Sequence, residues 1–201
     1  MHKSWALCLP LFALGSDPAF AVNTLKDWDG QQFVEQFGCP DTQTYGQVIS
    51  VRRTVHHLNK FAFELANGEL FGPDPRSMVV RGEVYAWDGS KAAGPALYES
   101  NPRTISYPYD DLNFHKETFR PSMLSLLPGK YIVFLSIAKD YQQCGSPAFG
   151  YELKWGAVDG SAYNGGSFYY QNDTGYGASA WTTFPWAATH GDLAFTADLT
   201  P

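Results

Sequence analysis

The clearest alternation of apolar and polar positions runs from Val79 to Trp87 and predicts an extended segment. Val80, Gly82, Val84 and Ala86 fall on one side, and Val79, Arg81, Glu83, Tyr85 and Trp87 on the other. Successive side chains of a strand point to opposite faces, so the first set predicts a packed interior and the second a partly wet surface. Ala96 to Ser100 returns beside it after the turn-rich loop Asp88 to Pro95, giving a loose hairpin rather than a two-residue turn.

Further strands are predicted along the rest of the chain. Thr44 to Val51 is one, and Leu58 to Leu65 is another, with Phe61, Phe63 and Leu65 sharing a face. Asn67-Gly68 and Pro73 to Pro75 carry turn chemistry, and Asn101 to Asp111 is a turn-rich bridge. His115 to Met123 is a further candidate. Tyr131 to Ile137 is apolar almost without break, the pattern of a central strand covered on both faces. Tyr151 to Val158 and Ser167 to Asn172 follow. In the closing Asp192 to Leu199, Leu193, Phe195, Ala197 and Leu199 point one way. Eight or nine short strands with this punctuation predict an all-β, two-sheet antiparallel sandwich, jelly-roll-like, with an Ig-like arrangement as the alternative. The only predicted helix is Thr24 to Phe37, capped by Thr24 and weakened by Gly30, with a loop or single turn as its rival.

Composition agrees with this class. The 201 residues are 17% charged and 16% aromatic, with 19 Gly and 13 Pro, which favours strands and turns over a helical bundle. A net charge of −6 excludes nucleic acid as the expected partner, because phosphate binding needs a basic face. Residues 1–21 read as a signal peptide: His2 and Lys3 precede the short apolar run Trp5 to Leu14, and Ala19-Phe20-Ala21 offers small residues at −3 and −1. That run is too short to span a bilayer. The expectation is a secreted or periplasmic single domain, 22–201, with no transmembrane segment in the mature chain. Export would remove Cys8 and leave Cys39 and Cys144, which predicts one disulfide, with two separate thiols as the alternative. Such a bond closes a loop of roughly 105 residues and contributes up to about 5 kcal/mol in the chain-entropy model.

Three stretches carry a resemblance to a known group: WDGQQFVEQFGCPDTQTYGQ at Trp28 to Gln47, VYAWDGSKAAGPALYES at Val84 to Ser100, and GDLAFTADL at Gly191 to Leu199. Together they resemble exported bacterial proteins of uncharacterised activity that often carry a C-terminal sorting anchor of the PEP-CTERM type. The resemblance implies a secreted β-sandwich and supplies no catalytic residue. Two features depart from the group. Cys39 stands where a non-cysteine is expected, and Pro201 follows the last strand without an apolar tail, so free release or a periplasmic location is expected instead of anchoring.

Candidate chemistry is sparse. No Gly-x-Ser-x-Gly elbow occurs, and no Glu-x-Asp-x-Glu strand presents paired carboxylates to one cleft. Arg81 and Glu83 read as a surface ion pair. Adjacent His56 and His57 point to opposite sides of a strand and read as solvated loop residues, which leaves metal binding to distant loops. Asp110, Asp111 and Asp173 are the candidate ligands of a structural calcium, with turn formation as the alternative. Otherwise no cofactor is expected. Arg52, Arg53 and Lys60, with His56 and His57, form a basic cluster that reads first as a charged loop without a ligand and second as a site for an anionic polysaccharide.

Ser161 to His190 is the most informative stretch. It holds Tyr163, Phe168, Tyr169, Tyr170, Tyr176, Trp181, Phe184 and Trp186 against one acid, Asp173, and no Lys or Arg. Flat rings accept the C–H faces of sugars, while Asn172, Asp173 and the tyrosine hydroxyls exchange hydrogen bonds with sugar hydroxyls. Tyr163, Tyr169, Tyr170, Asn172, Asp173, Tyr176 and Trp181 are therefore the candidate ligand-binding residues. The competing reading is core filling, to which Trp181 and Trp186 are best suited. The expected function is non-catalytic binding of carbohydrate or another matrix component. The alternatives are a polysaccharide-active enzyme, in which His115 or His190 meets a tyrosine and an arginine, and a purely structural surface protein.

Overall fold

The structure, a computed structural model, describes residues 20–38, 43–52, 54, 56–70, 77–108, 110–140, 151–172, 177–189 and 191–201. Its strands in chain order are β1 (Phe20–Asn23), β2 (Phe33–Gly38), β3 (Thr44–Val51), β4 (His56–Leu70), β5 (Met78–Trp87), β6 (Ala92–Glu99), β7 (Arg103–Ile105) and β8 (His115–Phe119). They continue with β9 (Leu124–Leu126), β10 (Gly129–Ser136), β11 (Tyr151–Val158), β12 (Phe168–Gln171), β13 (Ala187–Ala188), β14 (Asp192–Leu193) and β15 (Phe195–Thr200). One sheet runs β1-β15-β4-β11-β14, with β2 on β11 and both β8 and β9 on β4. The other runs β13-β12-β3-β10-β5-β6, with β7 on β5. The chain changes layer at β2–β3, β3–β4, β4–β5, β7–β8, β9–β10, β10–β11, β11–β12 and β13–β14, which makes an all-β, two-sheet antiparallel sandwich.

Between the sheets lies one core. Ile49, Val80, Val84, Val133 and Leu135 from the second sheet meet Phe61, Phe63, Leu65, Trp155, Phe195, Ala197 and Leu199 from the first. The period-two pattern assigns these residues correctly, since alternate side chains of a strand point to the same layer. Gly82 belongs to the inner set because the ring of Phe119 lies on it; a Cβ there would stand 2.3 Å from that ring. β10 sits between β3 and β5, as its unbroken apolar run predicts, and Tyr131 to Ile137 are all buried.

A run apolar on both sides needs a second cover, and the outer face of this sheet has one. Val48, Tyr85, Trp87, Ala92, Ile132 and Phe134 form a separate cluster with Trp181 and Trp186, which arrive on the segment 177–189. This corrects the expected wet face of β5. Tyr85 and Trp87 are each only 8% exposed, and Glu83 is fully buried. Sequence periodicity cannot see a cover supplied from a hundred residues away.

Four other expectations change. The helix over Thr24 to Phe37 is absent: Asp29 Oδ1 accepts the N–H groups of Gln31 and Gln32 at 2.8 Å each, and Gly30 turns at φ +78°. That side-chain turn competes with helical pairing, and the chain emerges as β2 on β11. Thr24 serves the sheet instead of a cap. Its hydroxyl donates to Leu193 O at 2.7 Å and accepts from Phe195 N at 2.8 Å. Among the described residues the only α-helix is one turn, Ala180–Thr183, here α1.

Asn67-Gly68 lies within β4 rather than at a turn, and Asn67 Nδ2 ties down the bridge by donating to Pro108 O and Asp111 O. The β5–β6 loop is shorter than expected, spanning 88–91, because Asp88 Oδ1 accepts from the N–H groups of Ser90 and Lys91. His56 and His57 are strand residues of β4, and His56 is buried. Cys39, Cys144, Arg53, Asp173, Tyr176 and His190 lie outside the described residues.

Candidate functional site

The outer face of the second sheet supplies the candidate site at the end where β3 finishes and β10 begins. β10 runs beside both neighbours with Lys130 opposite Ser50 and Tyr131 opposite Ala86. Val48, Ser50 and Lys130 therefore share this face, with Trp87 on the β5 side. The far wall is the loop 161–167, and the open cleft between them measures ≈ 620 Å³.

A buried polar post holds that wall. Inside the sandwich Gln47 Nε2 donates to Asp192 Oδ1 at 2.7 Å, and Leu193 N donates to Gln47 Oε1 at 3.0 Å. Tyr163 N then donates to Asp192 Oδ2 at 2.8 Å, which fixes the start of the loop. Burial pushes the Asp192 carboxyl up, while the hydrogen bonds from Tyr163 and Gln47 hold it down. The Tyr163 hydroxyl accepts the Ser50 N–H at 2.9 Å, and Ser50 Oγ donates to Gly165 O. Burial raises the Tyr163 phenol above its ordinary range. Gly166 lets the loop lie directly against β3: a Cβ there would be 2.1 Å from Val48 O.

The cleft thus has a rigid back and a mixed lining. Trp87 and Tyr169 supply ring surface, with centroids 4.7 Å apart and planes at 50°. Ser50, Ser161, Asn164 and Ser167 supply hydroxyl and amide groups, and Arg52 and Lys130 supply positive charge. Of the predicted aromatic and amide residues that are described, Tyr163 and Tyr169 line the cleft, together with Arg52 of the predicted basic cluster. Tyr170 turns to the other side of β12 and packs near Tyr45 and Phe168 at the margin of the inner core. Asn172 is exposed but does not line the cleft. Trp181 is 1% exposed and presents no ring face to solvent. Its indole N–H donates to Thr44 Oγ1 and its ring packs on Phe134 at 5.0 Å. Sequence reasoning missed Trp87, Ser50 and Lys130 as site residues. The available signal was the outward phase of β5, which carries Trp87 to the same face as Tyr85.

A second cleft of ≈ 630 Å³ lies on the outer face of the first sheet, near Trp28, Phe33, Leu112 and Phe114. Its rings are largely spoken for. Trp28 meets Phe114 edge-on at 4.9 Å, and Lys154 Nζ lies 4.4 Å from the centre of the Phe33 ring.

Two charged clusters stand apart from both clefts. Beneath Trp181, Lys139 Nζ is 3.0 Å from Glu83 Oε1 and also reaches Glu99, while Arg81 pairs with Glu99 and Asp140. This corrects the predicted Arg81–Glu83 surface pair. Glu83 Oε2 has no hydrogen-bond partner among the described residues. Burial, opposed by the Lys139 hydrogen bond, pushes the Glu83 carboxyl up to about 7. Neither cleft includes it. At the bridge, His115 stacks on Tyr107 at 4.4 Å and pairs with Asp111 at 2.8 Å. Tyr107 donates to Glu117, which also pairs with Arg103. Asp111 Oδ1 additionally accepts from Asn113 N, which gives it the turn role. Among the described residues no group of three His, Cys, Asp or Glu is placed to hold a metal ion, and no helix is long and apolar enough to cross a membrane.

No family model, curated protein or solved structure matches this chain.

Proposed function

We propose that the protein is a non-catalytic, extracytoplasmic module, secreted or periplasmic, that binds polysaccharide or a saccharide-bearing surface matrix through the cleft at Trp87 and Tyr169. The supporting observation is the combination in one cleft of ring surface with serine hydroxyls and the Asn164 amide on a wall pinned by Tyr163. Sugars need both kinds of group: apolar C–H faces pack on rings, and hydroxyls require hydrogen-bond partners once desolvated.

Polysaccharide pull-down and glycan-array binding of the purified chain test this reading. Retention on at least one glycan class is expected, with Tyr169→Ala weakening it about tenfold or more. Phe33→Ala in the second cleft should leave binding unchanged. A folded chain that no glycan retains overturns the reading. Loss with Phe33→Ala alone moves the site to the other sheet.

A second reading, an enzyme acting on an extracellular polysaccharide, is favoured by the meeting of His115, Tyr107, Arg103 and Glu117. It predicts release of reducing or unsaturated sugar that His115→Asn abolishes. Absence of such products across neutral and acidic polysaccharides removes this reading and leaves the cluster as a brace of the bridge.

A further inference from the structure

We infer that the saccharide fitting this cleft is an anionic one, a pyranoside carrying a carboxylate or sulfate that Arg52 and Lys130 hold. The inference rests on the carbohydrate reading above and adds the charge of the ligand.

The charge balance of the molecule carries it. The protein is acidic overall, at −6, and carboxylates occupy most of its well-placed cations. Arg81, Arg103, Lys116, Lys139 and Lys154 each meet an Asp or Glu. Among the described residues neither Arg52 nor Lys130 makes an ion pair, and both line the cleft at Trp87 and Tyr169, which contains no Asp or Glu. The second cleft includes Glu64 beside Lys154. A hollow of ≈ 540 Å³ near β1 gathers Lys60, Lys116 and Arg120, but with Asp198 and no aromatic ring. Of these three clefts, the one at Trp87 and Tyr169 joins unpaired positive charge to ring surface. The basic cluster predicted from sequence is correspondingly split, since Lys60 pairs with Asp198 on the opposite sheet.

Register puts the two cations where a ring substituent would be. Lys130 faces Ser50 across the ladder and neighbours Trp87 on the other side, while Arg52 follows one residue beyond β3. A pyranose packed on the half-buried Tyr169 ring, beside the edge of Trp87, directs its substituents outward in its own plane. An arginine fork engages two oxygens of a carboxylate or sulfate, and a lysine contributes a point charge beside it. Both side chains sit at the surface, so the attraction is screened by salt.

Titration calorimetry of the intact chain against oligouronates, sulfated oligosaccharides and matching neutral oligosaccharides, at low and high salt, tests the inference. The expected result is roughly tenfold or greater preference for one acidic class over its neutral counterpart, weakened by salt. Which acidic class is preferred separates carboxylate from sulfate. The exposed double variant Arg52→Ala/Lys130→Ala should keep its circular dichroism and bind acidic and neutral sugars alike. Equal affinity for acidic and neutral sugars, or a preference that survives in the double variant, overturns the inference and leaves the carbohydrate reading standing. Equal binding of polyglutamate overturns it too, as bare charge attraction. No sugar binding at all removes both.

Discussion

The two faces of the seven-stranded sheet are both dry, but for different reasons. Inside, Ile49, Val84 and Val133 meet Phe63, Trp155 and Phe195 across a gap closed by another sheet. Outside, Val48, Ile132 and Phe134 are closed by a short segment around α1 that brings Trp181 and Trp186. The inner face is largely apolar, interrupted by the Gln47–Asp192 pair. The outer face trades area for chemistry, carrying a buried ionic cluster at one end and the polar cleft at the other. A sheet-on-sheet face leaves no room for ligands, whereas a face covered by a strap leaves its margins open.

Two tryptophans offer the strongest way to break this comparison. Trp155→Ala on the inner face and Trp181→Ala on the outer should each cost about 3–5 kcal/mol, from lost burial and the remaining cavity. Their distribution should differ. Denaturant unfolding of Trp155→Ala should show one weakened transition, while amide exchange in Trp181→Ala should rise first over 177–189 and the outer strands. Uniform loss of protection in both variants would show that the strap and the sandwich open as one unit.

Acidity separates the faces next. The Glu83 carboxyl moves from its ordinary 4.5 to about 7 on folding, because burial disfavours its charge. A group with a raised folded pKa holds the proton more tightly in the folded state. Its contribution is therefore complete below pH 4.5 and lost as pH rises through about 7, up to about 3 kcal/mol. Stability measured from pH 4.5 to 8 should fall by an amount of this order, and Glu83→Gln should flatten the profile. An unchanged slope in that variant would assign the effect elsewhere.

Gly166→Ala should cost about 1–3 kcal/mol, since its Cβ would collide with the β3 backbone and push the 161–167 wall away. Saccharide affinity should fall with it. Smallest is Tyr163→Phe, which removes the acceptor for the Ser50 N–H and should cost about 1 kcal/mol with the wall otherwise kept.

The inner face was legible in the sequence because it follows a rule of period two, which Val80, Val84, Phe61, Phe63, Phe195 and Leu199 obey. β10 was legible for the complementary reason: its unbroken run already implied two covers. What covered it was not legible. Trp181 and Trp186 were better suited to a core than to a ligand, and the path of 177–189 over Tyr85 and Phe134 shows which core they fill. Half of the cleft's chemistry also escaped, because Trp87, Ser50 and Lys130 come from three strands whose adjacency is set by strand order. The Thr24 to Phe37 error was local instead: Asp29 and Gly30 held a turn signal that outweighed the spacing of Trp28, Phe33 and Phe37.

β1 lies against β15, with Val22 opposite Ala197 and the Thr24 hydroxyl bonded to the backbone at Leu193 and Phe195. Among the described strands the first therefore waits for the last before its edge is covered. The eight-stranded layer is stapled by a pairing between the most distant described segments of the chain, the kind of long-range contact that slows folding.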